Sequence, residues 1–253
     1  MAFHGGVIHL AVAAIGLVVG FLAGLFGKGG SAIATPLLHA AGVPAIVAVA
    51  SPLPATIPST AVAFSAYRRG HFVDSQVIRW SLAVGVPATV LGALLTRWIS
   101  GGVLVMVTDV VVAGLGIRFL LRPGEPREIV REPSAYRTRL VAVAAVTGLA
   151  AGLLANSGGF LLAPLYLAVL RMPLKQAFAC SLAVAGVLAV PGTLVHWALG
   201  HIDWSVVGLF ALTSVPMSYI GARVAVRSHP ARLERLYGAG LATVGVAMLA
   251  LAR

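Results

Sequence analysis

The sequence predicts an all-α, polytopic membrane protein with two inverted-topology repeats of about five segments each and short or broken helices at the repeat interface. Three observations carry this prediction: the composition, an internal duplication and the distribution of basic residues. Of 253 residues, 59% are hydrophobic and only 10% are charged, and the mean hydropathy is +0.99. Because soluble domains carry about 25% charged residues, we expect this chain to lie in a lipid bilayer.

The duplication is visible in two glycine-rich segments. Residues 20–38 read GFLAGLFGKGGSAIATPLL, and residues 148–166 read GLAAGLLANSGGFLLAPLY. Glycine, proline, serine and aspartate positions recur at offsets of 128 to 130, among them Gly20 and Gly148, Pro36 and Pro164, Ser51 and Ser181, and Asp74 and Asp203. We therefore predict a first repeat over residues 1–121, a cytoplasmic linker over 122–139 and a second repeat over 140–253.

The apolar runs define the elements of each repeat. About 20 residues are needed to cross a hydrocarbon core of roughly 30 Å. Within the runs, Val, Ile and Leu alternate with Ala and Gly rather than with polar residues, which favours packed helices over an outer-membrane barrel. Segments 31–42 and 158–170 are shorter and occupy matching places, and the sequence leaves open whether they cross or re-enter. The long runs are 7–26, 44–66, 76–96, 102–121, 140–155, 176–199, 204–222 and 232–252.

The 18 Lys and Arg residues predict how the repeats are oriented. Matching loops carry opposite charge loads: RRGHFVDSQVIR in the first repeat is basic, whereas its counterpart LGHIDWS contains no Lys or Arg. Since basic loops stay in the cytoplasm, swapped charge predicts inverted repeats in the plasma (inner) membrane. The net charge of +11 does not indicate nucleic-acid binding, because the basic residues lie between apolar runs.

The two glycine-rich breaks predict an anion site. Each break exposes backbone N–H groups at the start of a short helix, where the positive end of the helix dipole attracts anions. Lys28 would add a full charge, although a lysine snorkelling to the interface is the alternative. Gly16, Gly20 and Gly24 are better explained by close helix contacts. The predicted substrate-binding residues are Lys28, Gly29, Gly30, Ser31, Ser51, Asn156, Ser157, Gly158, Gly159 and Ser181.

Prolines interrupt the segments that follow these breaks. Pro36 is expected to keep the first short segment from being a regular helix, and Pro52, Pro54 and Pro58 in SPLPATIPST are expected to prevent a regular helix there. Such a stretch should line protein or a water-filled cavity, with its hydroxyls toward the substrate path. The alternative is that hydroxyls such as that of Ser51 only bond to nearby backbone.

The remaining polar residues suggest little chemistry. Asp109 is a candidate for proton coupling, with a structural hydrogen bond as the alternative, and Asp74 and Asp203 are expected to cap helices. Cys180 should fill a small position inside a helix. The histidines share no metal-ligand spacing, and no catalytic signature appears, so we predict no metal, no cofactor and no enzyme.

Both repeats resemble the sulfite exporter TauE/SafE family of membrane transporters. The resemblance rests on GLFGKGGSAIATPLL and GLLANSGGFLLAPLY, on the SPL and CSL triplets at 51–53 and 180–182, and on the later Gly-His elements. The family motif is typically G-x-G-G-G with an apolar x, whereas here Lys28 occupies x and Ser31 replaces the last glycine. The resemblance implies a multi-pass permease that moves sulfite, a sulfonate such as sulfoacetate, or thiosulfate, generally outward.

Alternating access around a midplane anion site is the expected mechanism, since inverted repeats with broken helices are typical of secondary transporters. A passive anion channel on the same scaffold and a non-transporting membrane scaffold are the alternatives. The expected partners are a small anionic substrate, protons as coupling ion and the lipid bilayer. Whether the chain forms a homodimer stays open, as do the anion, the direction of flux and the coupling ion.

Overall fold

The computed structural model describes residues 2–27, 31–95, 133–153 and 158–251. The predicted segment 102–121, with Asp109, and residues 122–132 of the linker lie outside this part of the chain. Ten helices occupy the described ranges: α1 (Ala2–Phe26), α2 (Ser31–Ala40), α3 (Ala45–Ala50), α4 (Pro52–Arg69), α5 (Ser75–Leu95), α6 (Pro133–Leu153), α7 (Gly159–Ala168), α8 (Leu174–Ala198), α9 (Trp204–Arg227) and α10 (Pro230–Leu251).

Four stretches of the described chain are long and apolar enough to cross a membrane by length and composition. They are Ile8–Phe26 in α1, Ala45–Arg69 across α3 and α4, all of α8 and all of α9. Helices α5, α6 and α10 have 21, 21 and 22 residues and are also of spanning length. The predicted all-α membrane architecture is confirmed.

The proline-rich stretch forms a helix, so the prediction that it could not was wrong. Pro52 and Pro54 fall in the first turn of α4, where backbone N–H groups have no helical acceptor and proline costs little. Inside the helix the Thr56 hydroxyl donates to the Pro52 carbonyl at 2.9 Å, and the Thr60 hydroxyl to the Thr56 carbonyl at 2.8 Å. These side chains supply hydrogen bonds in the turns around Pro58.

Pro36 likewise lies inside α2, contrary to the prediction, and Pro164 lies inside α7. Each of these helices has 10 residues, or about 15 Å, which is half a bilayer core. Helix α2 returns along α1, since Gly42 after its end lies beside Ile8. Helix α7 begins beside Thr147 of α6, and near its end the Tyr166 hydroxyl is hydrogen-bonded to Ser81 in the first half of α5 at 2.6 Å. The two short helices are therefore half-length returns.

Long helices of each predicted repeat pack on long helices of the other repeat. Helix α1 packs on α9, and its counterpart α6 packs on α5, the counterpart of α9. Gly221 of α9 contacts the backbone around Phe21 and Leu25, while Gly92 of α5 contacts the backbone around the matching Leu149 and Leu153. A Cβ atom would collide with neighbouring backbone at each glycine. Counterpart residues thus make counterpart contacts.

The predicted role of the α1 glycines as close helix contacts is confirmed. Gly16 lies against Phe210 and Thr213, Gly20 against the backbone of Ser214, and Gly24 against Ser218. Because both series of residue numbers rise together, α1 and α9 run in the same direction. A side chain at any of these glycines would push α1 away from α9.

The order of contacting residue pairs along two helices also gives the direction of the other long helices. Ser51 lies near Asp203 and Gly70 near Val226, so α4 runs parallel to α9. Thr60 lies beside Gly186 and Leu53 beside Gly192, so α8 runs antiparallel to α4. Cys180 of α8 lies beside Asp74 and Leu188 beside Gly85, so α5 runs parallel to α8. Gly85 also lies beside Ala144 and Gly92 beside Leu153, so α6 runs in the same direction as α5. Helices α1, α4 and α9 therefore run one way, and α5, α6 and α8 the other.

Basic side chains gather where α4 and α9 end and where α5, α6 and α8 begin, which we call the basic end. There the Arg69 guanidinium donates to the Tyr219 hydroxyl at 3.2 Å, and the Lys175 ammonium donates to the Val226 carbonyl at 2.7 Å. The described Lys and Arg residues of these helix ends and adjoining turns are Arg68, Arg69, Arg79, Arg137, Arg139, Arg171, Lys175, Arg223, Arg227, Arg232 and Arg235.

Three smaller predictions are confirmed. The Asp74 carboxylate accepts from the N–H groups of Gln76 and Val77 at the start of α5. The Asp203 carboxylate accepts from Ser205 and Val206 at the start of α9, so both aspartates cap helices. Cys180 is a free cysteine buried within α8.

Candidate functional site

The structure describes half of the predicted site residues. Lys28, Gly29, Gly30, Asn156 and Ser157, like Asp109, lie outside the described residues. Ser31 begins α2 and Gly159 begins α7, so each break precedes a short helix as predicted. The other described members are Ser51, Gly158 and Ser181.

The first break is held by side chains from two other helices. Gly27 has a φ of +64° and lies against the backbone of Phe178, which leaves no room for a Cβ atom. The Ser181 hydroxyl donates to the Gly27 carbonyl at 2.6 Å and to the Phe178 carbonyl at 2.9 Å. The Tyr67 hydroxyl donates to the Gly24 carbonyl at 3.1 Å. Carbonyls at the end of α1 are thereby satisfied.

The second break ends at a left-handed glycine. Gly158 has a φ of +67° and precedes α7, and its carbonyl accepts from the Leu161 and Leu162 N–H groups, both at 3.1 Å. A Cβ atom there would approach Ala151 at 3.0 Å and Thr147 at 3.2 Å. The start of α7 therefore lies at the level of the α6 residues around Gly148, well inside the bundle.

Ser51 and Ser181 are both buried, but the structure does not bring them together. The Ser51 hydroxyl accepts from the Asp203 N–H at 3.2 Å, where α9 begins at the end opposite the basic end. Ser181 instead contacts Gly27. The Ser205 hydroxyl, which donates to the Asp203 carboxylate at 2.6 Å, lowers the pKa of Asp203 below its usual value. Each serine joins one repeat to the other.

A small cavity lies where α1, α4, α8 and α9 meet, and we call it the central cavity; half of its described lining residues are Ser or Thr, although mostly carbon atoms face the space. The Ser59 and Ser214 hydroxyls are hydrogen-bonded to each other at 3.3 Å in its lining, and the Ser218 hydroxyl donates to the Ser59 carbonyl at 2.8 Å. Its space for the centre of a water molecule is about 10 Å³, enough for a single water. The described lining residues are Val19, Gly20, Ala23, Thr56, Ser59, Thr60, Leu182, Phe210, Ser214 and Ser218.

The cavity takes three residues from SPLPATIPST, where the Thr56 and Thr60 hydroxyls donate to carbonyls of their own helix, as the alternative for that stretch expected. Thr56, Ser59 and Thr60 belong to the stretch whose hydroxyls were expected to face the substrate path, but Ser214 and Ser218 were missed. The available signal was their spacing of four residues, which places both on one face of α9. It was weak, because serines in membrane helices often bond only to their own backbone.

Sequence comparisons place the chain among membrane transporters. The family "Sulfite exporter TauE/SafE" matches residues 12–248. A "Probable membrane transporter protein" of Xylella fastidiosa (strain 9a5c) is 29% identical over 236 residues, covering 88% of each chain. "Probable membrane transporter protein YjnA" of Bacillus subtilis (strain 168) is 24% identical over 255 residues, covering 95% of this chain and 99% of the relative. No solved structure matches the chain.

Proposed function

The chain belongs to the sulfite exporter TauE/SafE family, and on that premise we propose that it is a permease exporting a small sulfur-containing anion. Sulfite, a sulfonate such as sulfoacetate, and thiosulfate are the candidate substrates. The observation that carries the proposal is the exchange of helix partners between two copies of one unit, with a half-length helix after each glycine break. Secondary transporters share this architecture.

The proposed repeats are inverted. Helices α1 and α6, α4 and α8, and α5 and α9 are counterparts, and in every pair the two run in opposite directions, as the residue contacts indicate. A two-fold axis in the membrane plane relates such copies, whereas parallel copies would keep one direction. Inversion supports alternating access, because exchanging the conformations of two inverted halves turns an inward-open state into an outward-open one.

The two breaks would supply the charged and polar part of the substrate path. Helix α7 begins at the level of Gly148, and we place the start of α2 at the equivalent level in the first half. Lys28, Gly29, Gly30 and Ser31 would face the anion from one side. Asn156, Ser157, Gly158 and Gly159 would face it from the other. Ser51 and Ser181, which join the halves, would transmit movement between them.

The basic end is proposed to be cytoplasmic, in the plasma membrane. The described basic residues lie at this end because α4 and α9 end there while α5, α6 and α8 begin there. Retention of Lys and Arg on the cytoplasmic side would orient the bundle accordingly. The linker 122–139 precedes and enters the start of α6, so it would be cytoplasmic as well.

Transport by purified protein in liposomes tests the function. We expect saturable flux of at least one sulfur oxyanion, and a dependence on a proton gradient if Asp109 couples protons. Lys28→Ala and Asn156→Ala should lower this flux at least tenfold, because each removes a donor to the anion. Arg79→Ala is the charge-matched control, since Arg79 is exposed at the basic end.

The outcomes separate the candidate functions. Flux that does not saturate and ignores ion gradients would favour a passive anion channel. Absence of flux for every sulfur oxyanion tested, from protein that remains folded, would contradict the permease and leave a scaffold role. Gly158 is unsuitable for this test, because its positive φ makes any larger side chain strained.

A further inference from the structure

We propose that the central cavity is the site where the transported oxyanion is held without its water shell, by the hydroxyls of Ser59 and Ser214 above all. This inference rests on the proposed function and adds a binding site to it. Its described lining contains none of the predicted break residues, and the Ser59–Ser214 bond joins α4 of the first repeat to α9 of the second.

Buried hydroxyls are concentrated at this point. Ten polar residues are buried in the described chain, and five of them line the central cavity: Thr56, Ser59, Thr60, Ser214 and Ser218. A polar group buried in a membrane protein costs free energy unless it is hydrogen-bonded. Such a concentration in the middle of an otherwise apolar bundle indicates a function that needs polar groups there.

The hydrogen bonds leave donor capacity for a ligand. The Ser218 and Thr60 hydroxyls donate to backbone carbonyls. The Ser59 and Ser214 hydroxyls share one bond at 3.3 Å, longer than the usual 2.5–3.0 Å between hydroxyl oxygens. Each hydroxyl carries one hydrogen, and a single bond uses only one of the two. An anion could replace this long bond with two shorter, charge-assisted ones.

The lining favours an anion over a cation. Cations such as calcium, magnesium and sodium are held by carboxylate and carbonyl oxygens. No described lining residue is acidic. The Pro52, Thr56 and Ser59 carbonyls already accept hydrogen bonds from hydroxyl groups. The described lining also lacks a cationic side chain. Neutral donors bind an anion weakly enough to release it, as a transport site requires.

The size of the cavity indicates which state the structure represents. Space for a single water is too little for an oxyanion with three or four oxygens around sulfur. Binding therefore requires Ser59 and Ser214 to separate. Because Ser59 belongs to one repeat and Ser214 to the other, the site would open when the repeats move relative to each other, and the structure is its collapsed form.

Ser59→Ala and Ser214→Ala test the site in proteoliposomes. We expect each variant to raise the half-saturating sulfite concentration about tenfold, since a hydrogen bond to a charged group is worth about 1.5–3 kcal/mol. The control is Thr89→Val. Thr89 is also buried and donates to a carbonyl four residues back, at 2.8 Å, but it lies on α5 outside the cavity. We expect this control to stay within twofold of wild type.

Each result supports or overturns the proposal. If wild type transports sulfite and both alanine variants keep its half-saturating concentration within twofold, the cavity is not the binding site and the permease proposal stands. If wild type transports no sulfur oxyanion, the proposed function itself fails. If the alanine variants raise the half-saturating concentration of sodium but leave that of sulfite unchanged, the hydroxyls bind a cation and the inference is overturned. Should one variant fail to fold, the other removes a hydroxyl from the same pair.

Discussion

The contact between α4 and α9 and its counterpart between α8 and α5 occupy equivalent places but differ in chemistry. On the first side Ser59 is hydrogen-bonded to Ser214 in the lining of the central cavity. Cys180 lies beside Asp74 as Ser51 lies beside Asp203, so the structural offset of these helices is 129 residues. At that offset Leu188 replaces Ser59 and Gly85 replaces Ser214. A Cβ atom at Gly85 would lie 3.5 Å from the Leu188 side chain, which is 1% exposed. A leucine side chain fills on one side the space that is a cavity on the other.

The difference shows which features the fold needs and which it leaves free. Both sides keep the close glycine contact: Gly20 lies against Ser214, and Gly148 lies against Gly85. Close approach of helices is thus common to both repeats, as expected for packing through small residues. The hydroxyl pair formed by Ser59 and Ser214 occurs on one side only, whereas Ser218 has a buried hydroxyl counterpart in Thr89. Any binding by the Ser59 and Ser214 hydroxyls must therefore be asymmetric, although the close glycine contacts occur on both sides.

The largest expected effect comes from removing the Leu188 side chain from the contact between α8 and α5. Leu188→Ala should lower the free energy of unfolding by about 2–5 kcal/mol, because it leaves a void in a tightly packed contact. Ser59→Ala should cost only about 0.5–1.5 kcal/mol, the worth of one hydrogen bond. Unfolding in mixed detergent micelles measures both. Equal losses of unfolding free energy in the two variants would contradict the view that Leu188 fills a tightly packed contact and Ser59 lines a cavity.

The shared glycine contact should respond alike on both sides. Gly20→Ala and Gly148→Ala should each destabilise the protein by about 1–3 kcal/mol, because the added Cβ meets backbone atoms of the facing helix. Gly208→Ala is the matched control in α9, where nothing lies within 4 Å. There alanine should stabilise the helix by about 0.5–1 kcal/mol. Thermal unfolding of the three variants measures these effects, and an unchanged midpoint for Gly20→Ala or Gly148→Ala would contradict the close contact on that side.

The smallest expected effect concerns the helix cap beside Ser51. Asp203→Ala should cost about 1 kcal/mol at neutral pH. The pKa of Asp203 is lowered in the folded protein, so its carboxylate stabilises the fold above the unfolded pKa of about 3.9. The difference between wild type and variant should shrink as the pH falls below about 4, through the lowered pKa of the folded protein. A difference that grows on acidification would contradict the sign of this shift.

Much of this architecture could be predicted from sequence because its signals are local. Apolar length indicated membrane helices, the recurrence of Gly20 and Gly148 indicated the duplication, and Asp74 and Asp203 stood where caps belong. The helix at SPLPATIPST was missed because proline cost depends on position within a helix, and two of the prolines fall in its first turn. Ser214 could not be paired with Ser59 from sequence, because only the tertiary fold brings residues 155 apart together.

The opposite orientation of the two repeats is the central claim, and labelling of matched loops tests it most directly. Ser75 and Ser205 are exposed at equivalent helix starts, while Cys180 is buried. In a Cys180→Ala background, Ser75→Cys should react with a membrane-impermeant thiol reagent only from the cytoplasmic side, and Ser205→Cys only from the outside. Labelling of both cysteines from the same side would contradict the account.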